Sequence, residues 1–165
     1  MEYDTTTLEE LTGAFVNQYK RVLQDEGKVA TGALVNSVHG DVLIDGNKIS
    51  VNIYANEEWK YVEYGRKPGR RPPMDAILSW IKVKGLPRSG SLKMKNGKLP
   101  TENQLAFLIA RKIGDRGIPA GNYLSNLIES TGFYEKVKEE CATMIRDAIY
   151  KMIMEELDVQ TTIKI

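Results

Sequence analysis

The stretch that decides the fold is Val38-His39-Gly40-Asp41-Val42-Leu43-Ile44-Asp45-Gly46-Asn47-Lys48-Ile49-Ser50-Val51-Asn52-Ile53. Val38, Val42 and Ile44 alternate with polar neighbours, and Ile49, Val51 and Ile53 do so again. A period of two is the mark of a strand with one buried face. Asp45-Gly46-Asn47 between the two runs accepts positive φ, so the segment from about Leu34 to Ala55 reads as a β-hairpin. His39 has the parity opposite to the apolar set and therefore faces solvent or an interface.

On either side the period changes to that of helices. Leu8, Leu11, Phe15, Tyr19, Val22 and Leu23 recur at steps of three and four and form one apolar stripe over about Thr7–Glu26. Thr6 or Thr7 is placed to cap it, with Glu9 and Glu10 three residues on, and Gly27 to stop it. Glu57–Tyr64 reads as a short helix or turn closed by Gly65, and Arg66–Pro73 as a loop rich in Pro, Gly and Arg. Asp75–Lys84 predicts a short helix with Ile77, Leu78 and Ile81 on one side. Gly85–Pro100 is a lysine-bearing loop expected to be mobile. Thr101 and Gln104 supply a capping box for a helix from Glu102 to about Gly114. After a loop over Asp115–Gly121, Asn122–Asp158 is helical with a break at Gly132. Phe133, Val137, Cys141, Met144, Ile145, Ala148, Met152 and Ile153 make its core stripe. Val159–Ile165 is β-prone and either adds a strand or stays loose. The prediction is one α+β domain over residues 1–165: a small antiparallel sheet built on the hairpin, packed by an N-terminal helix and a long C-terminal helix.

A chain of 165 residues with 42% apolar and 27% charged residues can bury a core without staples. The single cysteine, Cys141, excludes an internal disulfide, and no Cys/His cluster offers zinc ligands. No apolar run reaches the ~18 residues that cross a bilayer, and the polar start lacks a signal-peptide core, so a soluble protein of a reducing compartment is expected. The net charge of +1 hides an asymmetry. Lys60–Lys98 holds eleven basic residues against two acidic, a net +9. Glu129–Asp158 carries −4 and the first 28 residues −3. The basic stretch reads in three ways: a solvated loop face, a partner for the acidic helices of a neighbouring subunit, or a surface that meets phosphates without sequence preference. Arg70-Arg71-Pro72-Pro73 is its sharpest piece, two guanidiniums on a stiffened loop. Trp59, Tyr61, Tyr64 and Trp80 beside it read as packing for that loop more readily than as a stacking platform for bases.

Enzyme chemistry has little to work with. His39 is the one histidine, about a hundred residues from Cys141, and Cys141 itself sits on an apolar stripe as a small buried hydrophobe. No phosphate-cradling glycine loop or paired-histidine zinc helix is present. The remaining arrangement is Asp41 or Asp45 followed by Glu58-Trp59-Lys60, the residue types of a Mg²⁺-dependent nuclease. Glu-x-Lys recurs at Glu26-Gly27-Lys28, however, so the spacing arises easily by chance. A free-standing nucleic-acid-binding module is the other rival reading.

Three segments resemble a known family. Thr31-Gly32-Ala33-Leu34-Val35-Asn36-Ser37-Val38 is similar to the opening motif of the small neck, or tail-component, proteins of tailed double-stranded-DNA bacteriophages. Tyr61-Val62-Glu63-Tyr64-Gly65-Arg66 and Gly117-Ile118-Pro119-Ala120-Gly121-Asn122-Tyr123-Leu124 resemble that family's second and third motifs, in the same order. Arg66 stands where the family commonly has threonine, and the lysine-rich loop around Lys93 and Lys95 looks like an insertion. The resemblance implies a non-enzymatic virion protein, made in the host cytoplasm and placed at the head–tail junction. It implies a ring, six- or twelve-fold, joining portal and tail proteins around the DNA channel, with no cofactor, metal or membrane. On that view Thr31, Gly32, Leu34, Ser37, Tyr61, Glu63, Gly65, Pro119, Tyr123 and Leu124 are structural. Arg66, Arg70, Arg71, Lys93 and Lys95 are the candidates for contact with the next subunit or, weakly, with DNA.

Overall fold

A computed structural model describes residues 3–29, 31–46, 48–85 and 99–162, with backbone alone over 158–162. The described residues form an α+β protein of seven helices and one two-stranded antiparallel hairpin, in the order α1 (Thr6–Asp25), α2 (Ala33–Ser37), β1 (His39–Asp45), β2 (Lys48–Tyr54), α3 (Glu58–Tyr64), α4 (Met74–Lys84), α5 (Glu102–Arg116), α6 (Tyr123–Thr131) and α7 (Phe133–Thr162). They gather into two compact units. The first comprises α1 as far as Arg21, the hairpin, and the chain from Leu124 through α7; the second comprises the end of α1, α2, and the chain from Ala55 to Tyr123.

In the first unit Leu8, Thr12, Phe15, Val16 and Tyr19 are buried along one face of α1, the stripe that the helical spacing predicts. Burying each large member contributes about 1.5–3 kcal/mol relative to exposure. Thr12 is tolerated in that face because its hydroxyl donates to Leu8 O at 2.6 Å. The helix meets β1 where the strand has no side chain: a Cβ on Gly40 would lie 2.6 Å from Thr12 Cγ2 and 3.1 Å from Ile53 Cδ1. It meets the start of α7 through Phe15 and Phe133, whose rings stack with centroids 3.9 Å apart. Gly132, at φ 61, breaks α6 from α7 where the sequence predicts.

Several details differ from expectation. The cap of α1 lies at Thr5, not Thr6 or Thr7. Thr5 O takes the first helical N–H, from Glu9, and Asp4 Oδ1 already accepts from Thr6 N at 3.0 Å. Residues 34–37 belong to α2, so β1 begins at His39 and Val38 precedes it, fully buried. The register does put Val42 opposite Val51 and Ile44 opposite Ile49 on one face. That face is only half covered: no strand residue is fully buried, and Ile44 at the tip is exposed. Along α7, Phe133, Met144 and Ala148 are buried, whereas Ile145, Met152 and Ile153 are exposed and Cys141 is half-buried. Beyond Ala148 the predicted core stripe is exposed among the described residues. Val159–Thr162 continue α7 rather than forming a strand; 163–165 lie outside the described residues.

In the second unit α1 ends in a Schellman motif. Lys28 N donates to Leu23 O and Gly27 N to Gln24 O, with Gly27 at φ 63. The Thr101–Gln104 capping box forms in both directions and starts α5, which runs two residues past its predicted end. Small residues at four-residue steps, Ala106, Ala110 and Gly114, are its buried face. The predicted α4 stripe is buried at Ile81 and half-buried at Ile77 and Leu78. Most of the Gly85–Pro100 loop, with Lys93 and Lys95, lies outside the described residues.

Candidate assembly surface

The second and third sequence motifs, far apart in the chain, close on each other through backbone. Arg66 N donates to Ile118 O and Ile118 N to Arg66 O, both at 2.8 Å, an isolated antiparallel bridge. Gly121 N reaches Val62 O at 3.1 Å and Asn122 N reaches Glu63 O at 3.0 Å. Two glycines make this approach feasible. Gly65 (φ 67, ψ −157) and Gly117 (φ 73, ψ −163) occupy a region essentially closed to other residues. A Cβ on Gly65 would overlap the Ile118 carbonyl, and one on Gly117 the Arg66 carbonyl. Asn122, at φ 51, is the one non-glycine with positive φ among the described residues, a conformation asparagine accepts. Glu63 is 1% exposed beneath this junction.

The first motif is built the same way. Thr31 Oγ1 accepts from Ala33 N at the start of α2, and Ser37 Oγ both donates to Leu34 O at 2.8 Å and accepts from Asn56 N at 3.0 Å. Leu34 is buried. Thr31, Gly32, Leu34, Ser37, Glu63, Gly65 and Pro119 thus all lie in or beside backbone-closing contacts.

The arginine loop is pinned, not free. Gly69 N donates to Gly114 O at 2.7 Å, the Arg66 guanidinium donates to Arg70 O at 2.8 Å, and Arg71 lies over the Phe107 ring at 5.5 Å. Burial of Gly114 follows from this, since a Cβ there would meet Arg71 Cγ at 2.7 Å. Arg66 is therefore half-buried and partly used internally, while Arg70 and Arg71 stay exposed. The ring that packs this loop is Phe107, which the sequence reading does not single out. Trp59 and Tyr64 instead pack on each other at 5.5 Å.

Tyr61 and Trp80 line something else. With Ile77, Ile113, Ile118 and Tyr123 they border an apolar groove of about 580 Å³ within the second unit. Tyr61 is 55% exposed, and Trp80 and Ile118 are exposed too. Lys28, over the Tyr123 ring at 5.4 Å, and Lys84, whose Nζ donates to Gly27 O at 3.0 Å, stand together at its edge. Tyr61, Val62 and 118–121 with Tyr123 come to this groove from the second and third motifs. Ile77 reads as part of the α4 apolar side on periodicity alone, and Ile113 carries no signal in the sequence.

The residue types of a nuclease are divided between the two units, Asp41 and Asp45 in the first and Glu58 and Lys60 in the second. Asp41 accepts from Asn52 Nδ2 at 3.0 Å, Asp45 is exposed at the end of β1, and Glu58 and Lys60 are exposed on α3. Among the described residues no three His, Cys, Asp or Glu side chains are grouped to hold a metal ion. His39 stacks on Tyr54 across the hairpin at 5.0 Å. Burial, helped by neighbouring Glu140, pushes the Cys141 thiol above the ordinary cysteine range. No helix among the described residues is long and apolar enough to cross a membrane. Comparison of the chain with protein-family models, curated proteins and solved structures gives no match.

Proposed function

We propose that the chain is a structural virion protein, a ring-forming subunit of the neck that joins portal to tail around the DNA channel of a tailed phage. It acts without catalysis, through contacts with copies of itself and with neighbouring neck and tail proteins. The observation that carries this reading is the mutual closure of 61–66 and 117–124 through five backbone hydrogen bonds. Segments that resemble a family in order and spacing, and that also build one junction, behave as a fold signature and not as scattered coincidence. The sign asymmetry supports it as well. A ring needs two different faces on each subunit, and exposed Arg70 and Arg71 offer one that complements the acidic residues along α7. Basic side chains left over would meet DNA phosphates in the lumen weakly and in a salt-dependent way.

Gold labelling of particles of the phage that encodes the chain tests the reading. Label at the head–tail junction is expected, and its position there decides between connector, tail-completion and tail-terminator roles. Particles without the chain would overturn it, as would plasmid cleavage by the purified protein that vanishes in Glu58→Ala.

A further inference from the structure

We propose that the distal part of α7 in one copy, Ile149–Leu157, seats in the Tyr61–Trp80–Ile118 groove of the next copy. The inference deepens the self-assembly reading and rests on it.

The donor element is an uncovered helical stripe. Ile149, Met152, Ile153 and Leu157, at steps of three and four, are 40–53% exposed, continuing from Ile145 at 38%. Such a stripe is the side of a helix that packs against something. From Ile149 to Leu157 it spans about 12 Å at 1.5 Å per residue. Burying anchors so spaced in an apolar cleft, here one of about 580 Å³, is a recurrent mode of helix recognition.

Charge selects the occupant and its direction. Glu155 and Glu156 directly precede Leu157 and are exposed at the distal end of the stripe, Glu156 on the stripe's own face. Lys28 and Lys84 both line the groove edge formed by Gly27 and Tyr123, Lys84 held by its Nζ to Gly27 O hydrogen bond and Lys28 over the Tyr123 ring. Seating the helix with Leu157 toward that edge brings two carboxylates to two ammonium groups. Stripe and groove are different surfaces of the same chain, so the contact is heterologous and propagates from copy to copy until a ring closes. A symmetric pairing of two α7 stripes would instead stop at a dimer.

Disulfide trapping in a Cys141→Ala background tests the proposal. One copy carries Ile153→Cys; a second, distinguishable by size, carries Ala120→Cys at the groove. The expected result is a mixed disulfide at least tenfold above that formed with Asn17→Cys, an exposed position on α1. In parallel, Ile153→Glu with Leu157→Glu alters only exposed side chains and should weaken self-association tenfold or more. Glu155→Lys with Glu156→Lys should weaken it too, with recovery when the partner copy carries Lys28→Glu and Lys84→Glu. If the unsubstituted chain assembles but the mixed disulfide stays at control level, or disulfides between two copies of the Ile153→Cys chain dominate, the docking is wrong while self-assembly stands. If the unsubstituted chain neither self-associates nor yields the disulfide, both fail.

Discussion

Replacing Gly65 by alanine attacks the junction at one atom. The residue sits at φ 67, ψ −157, where a side chain costs about 1–3 kcal/mol in backbone strain alone. The new Cβ would also overlap Ile118 O and come within 2.7 Å of Ala120 N, and both are backbone atoms that cannot swing aside. Relief requires 117–121 to lift off, which opens the two Arg66–Ile118 hydrogen bonds at about 0.5–1.5 kcal/mol each. The total is roughly 4 kcal/mol, a large part of the ~5–15 kcal/mol that holds a protein of this kind together. At about 2–4 °C per kcal/mol for a chain of this size, the thermal midpoint should fall by about 8–16 °C. Gly85→Ala is the matched control. Gly85 is left-handed at φ 57, ψ 46, and an added Cβ there meets nothing within 4 Å, so only about 1 kcal/mol is at stake. Thermal melts by circular dichroism, with amide exchange read at Arg66 and Ile118, give the comparison. A Gly65→Ala loss no larger than that of Gly85→Ala, with Ile118 still protected, would refute the claim that this junction holds the second unit.

The same contacts lead to three further outcomes. Thr101→Ala removes the side-chain half of the α5 capping box and should lower stability by about 1 kcal/mol in a urea titration; no change in midpoint would contradict that role. Arg70→Glu with Arg71→Glu removes one exposed cation–π contact on Phe107, about 0.5–1 kcal/mol, so the fold should survive while assembly or retention of DNA is impaired. Unaltered virion yield would remove the loop from the account. The native Cys141 thiol holds its proton to higher pH than in the unfolded chain, so this contribution to stability is present at lower pH and is lost as pH rises past the ordinary thiol range. Iodoacetamide should accordingly label native Cys141 more slowly than urea-unfolded Cys141 near neutral pH, and equal rates would contradict the burial.

Local signals in the chain are strong where one residue decides an end. The Thr101–Gln104 box, the stops at Gly27 and Gly65 and the break at Gly132 each rest on a short-range hydrogen-bond or φ requirement, and each is found in place. Periodicity is equally reliable for which side of a helix is apolar, but silent on what covers it. Leu8, Phe15 and Tyr19 are buried as the stripe predicts. The same kind of stripe in α7 stays exposed from Ile149 to Leu157. The hairpin shows the same limit: its register follows the alternation, while its burial depends on neighbours the pattern does not name. The alternation around Val38 extends the predicted strand back over residues 34–37. They are helical instead, because Thr31 caps Ala33 and Ser37 closes on Leu34. The groove is the least legible feature. Tyr61, Trp80 and Ile118 lie on separate segments, and only the Arg66–Ile118 bridge and the packing of α4 with α5 make them neighbours.

The central claim is that the chain works by assembling with itself, and its mass in solution tests that most directly. Mass photometry and sedimentation across a concentration series, alone and with isolated portal, should show a closed oligomer of defined stoichiometry, seen as rings in negative stain. A strict monomer at every concentration that also fails to join a portal would contradict the account.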